Sequence, residues 1–289
     1  MTLTGPASNS FYSQRLRLHY ADWDNHDAPP LILLHGGQDH CRSWDWVAGR
    51  LTKDWHVIAP DLRGHGDSQW SADGHYPIMS LVYDLAQLVH QFEYEQVTIV
   101  AHSLGGNVAL RYTGLYPEKV RKIVAIEGLG PSPRMLAERE KTPFQERWRS
   151  WIDDKRAAAT RQHRSYASFD EALARMHGEN SYLNAEQARH LTSHAVIRNE
   201  DGTYSWKFDP HIRVWPILDI AHGDMETLWQ RITCPTLLCW GEKSWASDPE
   251  IDGRLSLFPD ARLAKFADAG HWLHHDQFDR FMAELAGFL

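Results

Sequence analysis

Cysteine is scarce: Cys41, Cys234 and Cys239 are the only 3 in 289 residues. An odd number without Cys-x-x-Cys spacing argues against a disulfide framework or a zinc site, and fits three packed thiols in a reducing compartment. No run of about 18 apolar residues occurs, so no membrane-spanning helix is expected. The opening stretch, MTLTGPASNSFYSQ, lacks a basic segment followed by an apolar core. No export leader is therefore expected, and the cytoplasm is the default location. The 30 Lys and Arg against 38 Asp and Glu form no dense basic run, so a nucleic-acid partner is not expected. Neither a phosphate-cradling G-x-x-x-x-G-K nor a dinucleotide G-x-G-x-x-G occurs, and there is no internal repeat. No cofactor is implied.

What the chain does have is alternation. Short Val-, Ile- and Leu-rich runs are each followed by a stretch with apolar residues three and four apart, the order of an α/β protein with a mostly parallel sheet. Arg15 to Tyr20 predicts an early hairpin strand. Leu31 to Leu34, His56 to Ala59, Val97 to Val100, Lys122 to Ile126 and Thr236 to Trp240 predict buried parallel strands, and Arg262 to Phe266 the last one. Ile78 to Phe92 and Leu104 to Tyr116 read as crossover helices. The rhythm stops between residues 131 and 231, which are charged and helical over Met135 to Thr160, Phe169 to His177 and Ala185 to Ser193. Trp148, Trp151, Trp206, Trp215 and Trp229 are scattered through this segment. Strand-like sequence resumes after Cys234, so the expected organisation is a core over 1–130 and 232–289 with an inserted cap over 131–231.

The densest chemistry lies at Val97-Thr-Ile-Val-Ala-His-Ser103-Leu-Gly-Gly-Asn107, a strand running through A-x-S-x-G-G into a helix. Such a nucleophile elbow needs small residues two before and two after the serine, because the bend is tight and thrusts the hydroxyl clear of the backbone. Ala101, Gly105 and Gly106 meet that need. The following helix turns its first amides toward the site, so the Leu104 N–H is a candidate oxyanion donor. A serine that merely caps the helix is the competing reading. A second small-residue turn, Leu31-Ile-Leu-Leu-His-Gly-Gly-Gln38, ends an earlier strand, and the Gln38 N–H is the candidate for the second donor. His35 and His40 read as structural or pocket-lining. Phe266-Ala-Asp-Ala-Gly-His271-Trp places an imidazole on a loop after the last strand, with a pKa near neutrality suited to a general base. His274 and His275 follow closely, but no matching ligand set makes HWLHH a metal site.

Together HGGQ, PDLRGHGDS (Pro60 to Ser68), AHSLGG and DAGHW resemble the α/β-hydrolase superfamily, over roughly residues 12 to 130 and 232 to 289. The resemblance implies an eight-stranded, mostly parallel sheet flanked by helices, a cap over the active site, and structural roles for Asp61, Arg63 and His65. In one respect the chain departs from the pattern. Most members carry an acid in a W-G-x-x-D context after the penultimate strand, whereas here the chain reads Trp240-Gly-Glu-Lys-Ser244. Glu127, at the end of Ile123-Val-Ala-Ile-Glu127, resembles the acid after the sixth strand in some haloalkane dehalogenases and zearalenone lactonase-like hydrolases. Asp248 is the rival, although Asp248-Pro-Glu also fits the N-cap of a helix starting at Pro249. Glu242 and Asp268 are weaker alternatives.

A serine at the elbow makes acyl transfer the expected chemistry, on a carboxylic ester or lactone with an apolar or aromatic group, without cofactor or metal. Carbon–carbon bond hydrolysis, perhydrolysis, and a binding receptor with little turnover remain alternatives. Epoxide hydrolase and haloalkane dehalogenase chemistry is disfavoured, since those enzymes use a carboxylate nucleophile.

Overall fold

Residues 5–160, 164–217 and 219–289 are described by the computed structural model; the first four residues of the N-terminal stretch read above lie outside it. In chain order the strands are β1 (Ala7–Ser13), β2 (Leu16–Asp22), β3 (Pro30–Leu34), β4 (His56–Pro60), β5 (Val97–His102), β6 (Val120–Ile126), β7 (Ser165–Tyr166), β8 (Val196–Arg198), β9 (Tyr204–Trp206), β10 (Thr236–Gly241) and β11 (Ala261–Phe266). Eight of them form one sheet in the order β1-β2-β4-β3-β5-β6-β10-β11. The β1–β2 and β2–β4 pairings are antiparallel and the remainder parallel.

Side chains two apart along a strand share a face, so each buried strand feeds two cores. Ile32 and Leu34 of β3 and Ile99 and Ala101 of β5 enter one layer, with the helices Ile78–Gln91, Ser103–Leu115 and His222–Gln230. Leu31, Leu33 and Val100 enter the other, with the helices Asp45–Leu51 and Phe278–Phe288. Helices on both faces explain why these strands read as continuous apolar runs rather than as alternating ones.

Several elements differ from the sequence expectation for local reasons. β1 went unread because five of its seven residues are exposed at the sheet edge, leaving little apolar pattern. β5 runs two residues further than expected, to His102. The long helix expected over Met135 to Thr160 is two helices, Pro133–Glu140 and Phe144–Thr160, separated at Pro143. Proline lacks an N–H and disfavours helical geometry in the residue before it. Between β6 and β10 the chain also forms a three-stranded antiparallel sheet, β7-β9-β8, whose strands of two or three residues are too short to show a period. No helix begins at Pro249; a turn leads instead to a short 3₁₀ segment at Arg254–Leu257. Among the described residues no helix is long and apolar enough to cross a membrane.

One contact ties the elbow helix to the strand beside it. A Cβ on Gly128 would lie 2.6 Å from the Gly106 Cα, so the backbone after β6 touches the helix Ser103–Leu115 with no room for a side chain. Gly128→Ala is expected to force these backbones apart and cost roughly 1–3 kcal/mol of stability. Urea unfolding measures this; an unchanged midpoint would show that the contact is dispensable.

Candidate active site

Ser103 is the first residue of the helix that follows β5, and its φ of 50° lies in the left-handed region. A non-glycine residue there costs of order 1–3 kcal/mol and persists only when its surroundings enforce it. The enforcement is visible: the Gly105 N–H donates to the His35 carbonyl at 3.1 Å, locking the helix start to the end of β3. The Gly36 turn packs so closely that a Cβ on it would lie 3.2 Å from the Ser103 Cβ. The bend points the serine hydroxyl at His271, whose Nε2 accepts from Oγ at 2.9 Å.

His271 sits on the loop after β11, and two groups hold that loop. The His102 Nε2 donates to the His271 carbonyl at 2.9 Å, and the Asp276 carboxylate accepts the Gly270 N–H at 2.8 Å. The other imidazole nitrogen, Nδ1, donates to Glu127 Oε2 at 2.5 Å. Glu127 also takes a left-handed φ, 48°, directly after β6. Its side chain is fully buried while the imidazole is 23% exposed. A buried carboxylate needs its lone pairs satisfied. The Gly241 N–H donates to Oε1 at 2.9 Å and the Ser244 hydroxyl to Oε2 at 2.5 Å. Sequence reasoning did not single out Gly241 or Ser244; the signal available was that Ser244 stands where the acid was missing.

Of the two proposed donors, Leu104 lies in the first helical turn, where a backbone N–H has no acceptor one turn back. Gln38 lies on the exposed turn after Gly37, with a left-handed φ of 62°, and its side-chain Oε1 accepts from Arg213 Nε at 2.9 Å. Arg213 belongs to the segment between β6 and β10, so that segment reaches the rim of the site.

The comparisons with known proteins agree with this architecture. The family model described as alpha/beta hydrolase fold matches residues 29–278. This chain belongs to the α/β-hydrolase family. A serine hydrolase-like protein of Danio rerio is 30% identical over 203 residues, 68% of this chain and 60% of that protein, so the match spans less than two thirds of that relative. Epoxide hydrolase 4 of Mus musculus is 24% identical over 91% of this chain and 74% of its own length. An sn-1-specific diacylglycerol lipase of Xenopus laevis is 27% identical over 90% and 80%. The thioesterase domain from the curacin biosynthetic pathway superposes with a TM-score of 0.86 at 20% identity, over 98% of this chain and all of that one. At that identity the likeness speaks for the fold.

The remaining acids of this α/β hydrolase lie elsewhere. Asp248 is buried, but its Oδ2 pairs with Lys265 Nζ at 2.6 Å and its Oδ1 accepts the Glu250 N–H, so the carboxylate is already engaged by groups other than His271. Glu242 and Asp268 are exposed, the latter 3.8 Å from Lys243. Asp61, Arg63 and His65 are buried. Asp61 accepts the Cys41 and Asp67 N–H groups and the His19 imidazole, and these hydrogen bonds outweigh burial to hold its carboxyl well below the usual range. Arg63 grips Asp84 through two 2.6 Å bonds. Among the described residues three groups bring potential metal ligands together: His19, Cys41 and Asp61; Asp22, His26 and His56; and Asp45, His190 and His194. None includes a member of the Ser103, His271 and Glu127 line. Of the five tryptophans noted between residues 131 and 231, Trp229 packs in a sheet core, Trp206 against Tyr166 and Phe208, and Trp215 is exposed.

Burial governs the histidines around the site. Desolvation first, and neighbouring imidazoles after it, push His102 and His274 well below the ordinary value and bring His35 down to about 3 and His275 to about 3. His40 falls to about 4, again chiefly by burial. The unfolded chain takes up protons below about pH 6.5, while these folded groups refuse them until about pH 4 or lower. Their stabilisation is therefore complete above the unfolded value and is lost as pH falls through this window. Burial raises Asp39 to about 7, which acts in the opposite sense, its stabilisation fading as pH rises from about 4 to 7. The histidines outnumber it, so the urea midpoint is expected to fall between pH 7.5 and pH 5; a midpoint that holds or rises would contradict this balance.

Proposed function

We propose that this α/β hydrolase is a serine esterase or lactonase that works through an acyl-enzyme, with Ser103 as nucleophile, His271 as general base and Glu127 as the acid. The observation that carries this reading is the unbroken hydrogen-bonded line from Ser103 Oγ through both nitrogens of His271 to Glu127. As Oγ attacks the substrate carbonyl, its proton passes to Nε2, and the carboxylate stabilises the imidazolium that forms. The carbonyl oxygen, now an oxyanion, takes hydrogen bonds from the Leu104 N–H and from the turn after β3, where Gln38 is the assigned donor. Collapse of the tetrahedral intermediate expels the alcohol, protonated by His271. A water deprotonated by the same nitrogen then attacks the acyl-enzyme and regenerates Ser103. No step calls for a cofactor.

The named relatives include an epoxide hydrolase, and the nucleophile decides against that activity here. A serine oxygen opening an epoxide leaves an ether, which offers water no carbonyl to attack, whereas an acyl-serine does. An apolar or aromatic group on the substrate is supported by Trp245, which is 66% exposed with its ring centroid 5.0 Å from that of His271. The segment between β6 and β10 serves in this reading as a cap, anchored by Arg213 at Gln38 and by Gln187 Nε2 at the His275 carbonyl.

The test is turnover of p-nitrophenyl butyrate and of an aromatic lactone. Ser103→Ala is expected to be inactive, and Glu127→Gln to lose about 10³-fold or more in kcat. Asp248→Asn, which removes a charge pair away from the imidazole, should stay near the wild-type rate. Wild-type protein giving neither a burst nor steady turnover would instead favour a binding receptor, and activity surviving in Ser103→Ala would overturn the mechanism.

A further inference from the structure

Position 244 lies within reach of the same place as Glu127, but from a different strand. Glu127 rises from the end of β6, and Ser244 stands three residues beyond the end of β10. Yet the Ser244 Oγ is 2.5 Å from Glu127 Oε2, the oxygen that also receives His271 Nδ1 at 2.5 Å. The hydroxyl is oriented as well as near. Its oxygen accepts the Ala246 N–H at 3.1 Å, which leaves its own proton directed at the carboxylate. The Ala246 carbonyl in turn takes the Trp240 indole N–H at 2.8 Å, so the loop bearing Ser244 is pinned to β10. With the Gly241 N–H on Oε1, both carboxylate oxygens are engaged from the β10 side before His271 is counted.

We propose that Ser244 is a positioning residue that fixes the Glu127 carboxylate against His271. The proposal rests on the Ser103, His271 and Glu127 reading given above. Without the hydroxyl, the glutamate keeps one backbone donor and gains torsional freedom, so the imidazole is less well oriented and kcat suffers more than KM. The carboxylate also becomes more basic. It then holds the imidazolium proton more tightly, which moves the acidic limb of kcat/KM to higher pH.

Three variants test this in p-nitrophenyl butyrate turnover, each checked for wild-type thermal melting. Ser244→Ala is expected to lose about tenfold in kcat at nearly constant KM, the worth of one hydrogen bond to a charged group, with its acidic limb displaced upward. Ser244→Thr, which keeps the hydroxyl, should recover most of the rate and the wild-type limb. Glu127→Ser should be severely impaired. If Ser244→Ala matches the wild type in kcat and pH profile, the proposal is overturned. Failure of the triad reading is seen separately: the wild type would then lack turnover, or Ser103→Ala and Glu127→Ser would retain it.

Discussion

The arrangement depends on a carboxylate held out of water. Glu127 has a fully buried side chain and still faces an imidazole that is partly open to solvent. An uncompensated charge in that place would cost several kcal/mol, so its position is defined by what satisfies it. Its partners come from different parts of the chain: the end of β10, the loop beyond it, and the loop after β11. Parallel neighbours β6, β10 and β11 end at the same edge of the sheet, which is why groups more than a hundred residues apart in sequence converge there.

Several of the left-handed non-glycine residues lie at that edge. Ser103, Glu127 and Gln38 all take left-handed φ values without being glycine. Each directly follows or lies near a strand end, where the chain must turn sharply to present a side chain or an amide. The compensation is close backbone packing, Gly105 bonded to the His35 carbonyl and Gly106 against Gly128, which leaves the bends no alternative conformation. Strain at Ser103 and Glu127 is thus supported by contacts one layer behind them.

A second feature is the number of buried imidazoles around the site. His35 accepts the Leu62 N–H at Nε2 and donates from Nδ1 to the Gly36 carbonyl, so it acts as a neutral brace between two loops. His102 links the elbow to the His271 loop by one bond from Nε2, and His40 reaches the Leu191 carbonyl. These bonds are made by neutral rings. Burial that keeps them neutral therefore also keeps additional positive charge away from the His271 imidazole.

Much of this was legible in the residues themselves. Continuous apolar runs marked β3 to β6, β10 and β11 because a sheet covered on both faces needs no polar alternation, and Ala101, Gly105 and Gly106 marked the elbow because only small residues fit a bend that tight. The polar edge strand β1, the break at Pro143 and the small β7-β9-β8 sheet were missed or misjudged, being elements too short or too exposed to carry a period. Local sequence determined which residue types stand at the strand ends, since propensity and side-chain size act over a few neighbours. Only the tertiary structure shows which of the two acids, Glu127 or Asp248, meets His271. The sequence offered two acids at plausible positions, and the choice lay in which one the sheet brings to His271 and which it pairs with Lys265, a matter of distances across strands that no local pattern encodes.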